Sequence, residues 1–180
     1  EFSGGPTSAD FEGFRSRDLA SFKFAYKLLK ENCQDKLVLD YGCGNGAHTI
    51  PIAKMGARKV IAIDLSEKSL AVAQNWAKKE GVADRVEFLK MDCEKMEFPD
   101  NYFDLIFDGG TFSSLDLKLA LPELARVLKP EGVLIGIETF GHNPITNLKR
   151  KFKQFKINSY VFASYFFLPN KNSGCLILSY

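Results

Sequence analysis

The residues equipped for chemistry are three alternating glycines and a set of aspartates that recur at the ends of apolar runs. Leu37-Val38-Leu39 ends in Asp40, and Tyr41-Gly42-Cys43-Gly44-Asn45-Gly46 follows. Glycines at this spacing let the backbone turn sharply and approach a ligand as closely as a missing Cβ permits. A helix predicted from about Ala47 to Met55 would present its free N–H groups to the same ligand. Asp64 closes a second apolar run from Lys59, Asp92 follows a third from Arg85 to Lys90, and Asp108 closes a fourth from Tyr102. Polar groups in that order suit one ligand with chemically different parts. Gly42, Gly44 and Ala47 also satisfy the relaxed dinucleotide spacing G-x-G-x-x-A, so a nicotinamide-dependent oxidoreductase is a rival reading. Against it, Asp40 would repel a pyrophosphate but could bind an ammonium, and the third glycine makes a tight loop around a compact group.

The run Val38-Leu39-Asp40-x-Gly42-Cys43-Gly44-x-Gly46 resembles the first motif of the class I S-adenosylmethionine-dependent methyltransferases. Leu124-x-x-Val127-Leu128-Lys129-Pro130-x-Gly132-Val133-Leu134 is similar to the helix stop and turn typical of that superfamily. The likeness runs from about Leu37 to Glu138. Beyond it, Gly141-His142-Asn143-Pro144 resembles some small-molecule methyltransferases, and within the superfamily the chain is most similar in kind to the small-molecule type 11, ubiquinone and menaquinone biosynthesis members. The resemblance implies that Asp40 and the backbone of Gly42, Cys43, Gly44 and Gly46 face the amino acid moiety of S-adenosylmethionine. It implies further that Asp64 accepts from the ribose hydroxyls, Leu65 lies under the adenine, Asp92 meets the adenine amino group and the Cys93 N–H meets a ring nitrogen. Asp108 or Gly109 would close the site beside the methionine portion. Plainer readings stand beside these: Asp64 as a helix N-terminal acid and Asp92 as a loop acid. Asp40 is harder to explain as structure, because a carboxylate ending a buried strand is costly unless paired.

Placing these residues together requires strands that alternate with helices. Phe14, Leu19, Phe22, Tyr26 and Leu29 recur at helical spacing and predict an amphipathic helix within Phe11 to Lys30, over the sheet or the cofactor mouth. Ser66 should cap a helix from about Glu67 to Lys79 that Gly81 closes. Leu115 to Leu128 reads as helix, and Lys129-Pro130-Glu131-Gly132 as a turn into a fifth strand, Val133 to Glu138. Ile157 to Leu168 and Gly174 to Tyr180 read as an antiparallel hairpin at the sheet edge. The expected fold is α/β, a Rossmann-like three-layer sandwich with a seven-stranded, mostly parallel sheet. Residues 1–10 read as a flexible leader and 11–180 as one domain. Within that domain, 11–36 is the N-terminal helix, 37–141 the cofactor-binding core, and 142–180 a short acceptor-side segment with the hairpin.

Composition narrows the function classes. The 180 residues carry 24 Lys and Arg against 22 Asp and Glu, a net charge of +2, which makes no general case for nucleic acid or an anionic membrane. Cys33, Cys43, Cys93 and Cys175 form no C-x-x-C pair; no metal is expected, and a reduced, cytoplasmic setting fits them. No apolar run approaches the roughly 20 residues that span a bilayer.

Methyl transfer from a sulfonium is an in-line displacement, and alignment of nucleophile and methyl carbon can supply most of the acceleration. A base is needed only where the acceptor must lose a proton. His142 is the candidate, beside the plainer reading of a turn histidine that packs or caps; His48 should face solvent or cofactor. Asp108-Gly109-Gly110-Thr111-Phe112 departs from the N-P-P-Y type of motif that grips a flipped base, which disfavours adenine or cytosine N-methylation. The basic segment Lys149-Arg150-Lys151 with Lys153 and Lys156 could hold RNA, or form a solvated helix face with Phe152 and Phe155 as its core stripe. Tyr160, Phe162, Tyr165, Phe166 and Phe167 could be edge-strand core or line an apolar acceptor pocket. The expectation is therefore a methyltransferase that converts S-adenosylmethionine to S-adenosylhomocysteine on a small, hydrophobic or aromatic acceptor. The alternatives are an RNA methyltransferase using residues 149–156 and a non-catalytic, degenerate cofactor-binding subunit. The sequence does not set the oligomeric state.

Overall fold

Each of the first four apolar runs is a strand whose connection carries the chain back to the same end of the sheet, and the result is a parallel sheet. The computed structural model describes residues 20–138, 162–164 and 174–179. In chain order the elements are α1 (Ala20–Asn32), β1 (Leu37–Tyr41), α2 (Thr49–Lys54), β2 (Lys59–Asp64), α3 (Glu67–Lys79), β3 (Val86–Lys90), β4 (Phe103–Asp108), a 3-10 turn (Phe112–Ser114), α4 (Leu117–Val127), β5 (Leu128–Glu138), β6 (Phe162–Ser164) and β7 (Gly174–Ser179). The sheet order is β3-β2-β1-β4-β5-β7-β6. Strands β1 to β5 and β7 run parallel, and β6 pairs antiparallel with β7. β1 lies between β2 and β4, so successive connections wind outward on either side of it. That places a topological switch point, where ligands bind in open α/β sheets, at the carboxyl ends of β1 and β4.

Alternation along β1 shows how the layers form. Val38 joins a core with Phe22, Ala25 and Leu29 of α1, Ile50 and Ile52 of α2 and Trp76 of α3. Leu37, Leu39 and Tyr41 join the opposite core with Leu124 and Val127 of α4. Both faces of the sheet are thus covered by helix, as its apolar strands require. α3 starts as its sequence predicts, with the Ser66 side chain accepting from the Ser69 N–H at 3.2 Å.

The expected turn at Lys129 to Gly132 takes a different form. β5 already starts at Leu128, which pairs with Phe103, while Val133 pairs with Leu105. Two steps along β4 therefore face five along β5, and Lys129-Pro130-Glu131-Gly132 is an irregular bulge inside a strand. Proline lacks the N–H a regular ladder needs, and an irregularity tolerates it. Lys129 holds the spot by donating to the Asp104 carboxylate at 2.6 Å. The expected helix residues Phe14 and Leu19, His142, the basic segment 149–156, and Tyr160, Tyr165, Phe166 and Phe167 lie outside the described residues.

Candidate functional site

The glycine loop after β1 is folded by positive backbone angles at three places: Gly42 (φ 70°), Gly44 (φ 52°) and Gly46 (φ 85°). Two of these have different reasons to be glycine. A Cβ on Gly42 would lie 2.1 Å from Thr111 Oγ1, so the site is filled by protein. A Cβ on Gly44 would meet nothing within 4 Å. Gly44 therefore has open space where a side chain would stand, which leaves room for a closely approaching ligand.

The acids surround this loop in different states. Asp40 is only 1% exposed, and its Oδ2 accepts from the Thr49 hydroxyl at 2.5 Å. Burial lifts its pKa to about 7, against the pull of that hydroxyl. Asp64 stands at the end of β2 and binds the loop itself: its Oδ2 accepts from the Gly44 N–H at 2.8 Å and its Oδ1 from the Ser66 N–H at 2.8 Å. Next to it Leu65 is 62% exposed, a large apolar side chain at the rim. Asp92 is exposed, and its Oδ1 accepts from the Glu94 N–H at 2.8 Å. Cys43 and Cys93 are buried free thiols on either side, and burial pushes the Cys93 thiol up to about 12, so neither offers a reactive thiolate. The Cys43 N–H donates to the Ile63 carbonyl at 2.8 Å, which ties the loop to β2.

Asp108 is fully buried, and its two oxygens accept from the N–H groups of Gly110 at 3.3 Å and Thr111 at 3.0 Å. Its carboxylate thereby shapes the turn after β4. That turn in turn presses Thr111 against the glycine loop, where its hydroxyl donates to the carbonyl of Tyr41 at 3.1 Å. Gly109 gives room to His48: a Cβ there would lie 2.7 Å from the imidazole.

His48 corrects one expectation. It faces neither solvent nor an open site; it is 7% exposed, its Nδ1 is 2.8 Å from the Tyr26 hydroxyl, and its ring packs on Phe22 and Phe107. Burial lowers its pKa to about 4, so the ring is neutral at ordinary pH. The apolar side chains of α1 that close over it explain the difference, since the sequence at 48 gives no sign of that cover. Thr49, Thr111 and Tyr41 make contacts around this loop that the sequence did not single out. Only Tyr41 carried a signal: its side chain must leave β1 on the face opposite Asp40.

All eleven expected cofactor residues thus lie at or just beyond the carboxyl ends of β1, β2, β3 and β4, the place where a nucleotide-type ligand binds a doubly wound sheet. Fold and loop together define an α/β nucleotide-cofactor protein. Residues 38–132 match the family described as methyltransferase domain. A crystal structure of a SAM-dependent methyltransferase from Aquifex aeolicus is 32% identical with a TM-score of 0.58, covering 71% of this chain and 70% of that one. The chain belongs to the methyltransferase-domain family, and its cofactor class is that of the S-adenosylmethionine-dependent methyltransferases.

Relatives of known sequence include a demethylmenaquinone methyltransferase of Lactiplantibacillus plantarum, 40% identical over 105 residues, or 57% of this chain and 44% of that protein. A sterol 24-C-methyltransferase of Gibberella zeae is 37% identical over 97 residues, covering 53% of this chain and 26% of the relative. A ribosomal protein L11 methyltransferase of Glaesserella parasuis is 37% identical over 101 residues, 56% of this chain and 32% of the relative. The match therefore spans between about a quarter and under half of the length of these relatives.

Proposed function

We propose that this protein transfers the methyl group of S-adenosylmethionine to a small, hydrophobic or aromatic acceptor, releasing S-adenosylhomocysteine. The observation that carries the cofactor half is Gly44: at positive φ, with open space where a Cβ would stand, its N–H bound to Asp64 and exposed Leu65 beside it. The chemistry of the donor set fits that cofactor. Asp40 and the Gly42–Gly46 backbone would hold the amino acid end, Asp64 the ribose diol, and Leu65, Asp92 and Cys93 the adenine. Asp64 would share its remaining lone pairs with the diol or release the Gly44 N–H to the ligand. When bound, the cofactor supplies an electrophilic methyl on a cationic leaving group. The chain's own part is to orient that group and to keep water out.

The acceptor half rests on the relatives. A sterol, demethylmenaquinone and a ribosomal protein are methylated by enzymes that each match 97 to 105 residues of this chain, which supports a shared cofactor half with the acceptor read elsewhere. Two of those three act on lipophilic small molecules, and the aromatic residues from Tyr160 to Phe167 lean the same way. His142 is the proposed base where the acceptor requires one. The buried free thiols of Cys33, Cys43 and Cys93 fit a reducing, cytoplasmic compartment, and no helix among the described residues is long and apolar enough to cross a membrane.

Transfer of labelled methyl from S-adenosylmethionine to a panel of quinols, phenols and sterols, followed by solvent extraction, tests the reading. Label in the organic phase supports it. Label recovered only in added RNA or protein, or in no acceptor, contradicts it.

A further inference from the structure

One side chain in this site links three strand-end loops. Tyr41 separates Asp40 from Gly42, points to the opposite face of the sheet, and is fully buried. Its ring meets Phe112, after β4, edge-on at 5.8 Å. Its main-chain carbonyl accepts from the Thr111 hydroxyl at 3.1 Å. Its phenol donates to the carbonyl of Cys93, after β3, at 2.9 Å. Burial pushes that phenol far above its ordinary pKa, so it is a permanent donor.

The Cys93 carbonyl belongs to the same peptide unit as the Glu94 N–H, and that N–H donates to Asp92 Oδ1 at 2.8 Å. The peptide is therefore held at both ends: by Tyr41 on its oxygen and by Asp92 on its nitrogen. A planar peptide cannot turn at one end alone. Fixing its oxygen fixes the direction of its N–H, and with it the rotamer of the Asp92 carboxylate. The second oxygen of Asp92, on an exposed side chain, has no hydrogen bond among the described residues and is available to a ligand.

We propose that Tyr41 is a positioning residue for recognition of the cofactor's base, acting through the Cys93–Glu94 peptide to aim Asp92 at an exocyclic amino group. This rests on the reading of the site given above. A carboxylate accepts from an amino group and repels a carbonyl oxygen, so an aimed Asp92 selects adenine over its 6-oxo counterpart. With the peptide free to turn, the carboxylate samples other rotamers and selection weakens, while the apolar contacts of the base persist.

The test measures a ratio of affinities. Calorimetry gives dissociation constants for S-adenosylhomocysteine and S-inosylhomocysteine in the wild type, Tyr41→Phe, Asp92→Asn and the double variant. The wild type is expected to favour the adenine ligand by about tenfold or more, the size of one charge-assisted hydrogen bond. Tyr41→Phe should reduce that ratio at least about threefold. The double variant should match Asp92→Asn alone, because Tyr41 acts only through Asp92. A Tyr41→Phe protein that binds both ligands more weakly but keeps the wild-type ratio overturns the inference and leaves Tyr41 a packing residue. A wild type without preference also overturns it, while the cofactor reading stands. A wild type that binds neither ligand removes the cofactor reading itself. Should Tyr41→Phe not fold, an Asp92→Asn ratio equal to that of the wild type sinks the proposal, since Tyr41 then has nothing to aim.

Discussion

Asp40 and His48 are buried titratable groups that oppose each other. Asp40 holds its proton more tightly in the folded state, at about 7 against 3.8, so its contribution falls as pH rises from about 4 to 7. His48 holds its proton less tightly, at about 4 against 6.5, so the stability linked to it is present above pH 6.5 and lost as pH falls toward 4. Over the shared window the two slopes offset each other. Relative to the wild type, Asp40→Asn is expected to gain roughly 2–4 kcal/mol at pH 8 and little at pH 4.5. The deficit caused by His48→Gln should instead shrink by roughly 2–3 kcal/mol on going from pH 8 to 4.5. Urea unfolding across that range reads both, and parallel pH profiles for the three proteins would remove this account. The same Asp40→Asn protein should bind S-adenosylmethionine less well, as expected where a site residue is kept at a cost in stability.

At the scale of elements, the glycine loop is held from two sides: by Asp64 on the Gly44 N–H and by Thr111 against Gly42. The two glycines should therefore respond differently to alanine. Gly44→Ala should cost about 1–2 kcal/mol from its backbone angle alone and lower cofactor affinity tenfold or more. Gly42→Ala adds overlap with Thr111 to the same angle cost, so it should unfold at clearly lower denaturant, and Thr111→Gly should partly restore it. Equal melting of the two alanine variants would show that Thr111 yields freely. The loop carrying Asp92 has its own clamp. Arg126 donates to the carbonyls of Met96 at 2.8 Å and Phe98 at 2.6 Å and pairs with Glu123 and Asp100. Arg126→Met should lower stability by roughly 1–3 kcal/mol, read by thermal melting, with little change in adenine-to-inosine selectivity.

What was legible at this scale follows from range. Ser66 with Ser69, Gly81, and the acids at strand ends are local signals, and the structure places each where its sequence indicates. The pairing of Asp40 with Thr49 spans the glycine loop, and the fit of Thr111 against Gly42 and the burial of His48 under Tyr26 depend on contacts across the fold. Apolar periodicity does not encode them. The bulge at Lys129 to Gly132 hid for a related reason: a Pro-x-Gly run has the composition of a turn, and its pairing with β4 decides that it sits within a strand.

For the whole molecule, helices separate the strands of the order β3-β2-β1-β4-β5 except between β3 and β4, where residues 91–102 connect the strands without a helix. The strand and glycine signals that made the fold legible lie between 37 and 138, and the family match covers residues 38–132. The acceptor is less legible, because sterol 24-C-, demethylmenaquinone and ribosomal protein L11 methyltransferases all match more than half of this chain. The central claim is the identity of the cofactor. Calorimetric titration of the protein with S-adenosylmethionine, S-adenosylhomocysteine and NADH in parallel tests it most directly. The account predicts micromolar binding of the first two, weakened about 10- to 100-fold by Asp64→Ala, and no response to NADH. Binding of NADH alone, or of S-adenosylmethionine with an affinity indifferent to Asp64, would contradict it.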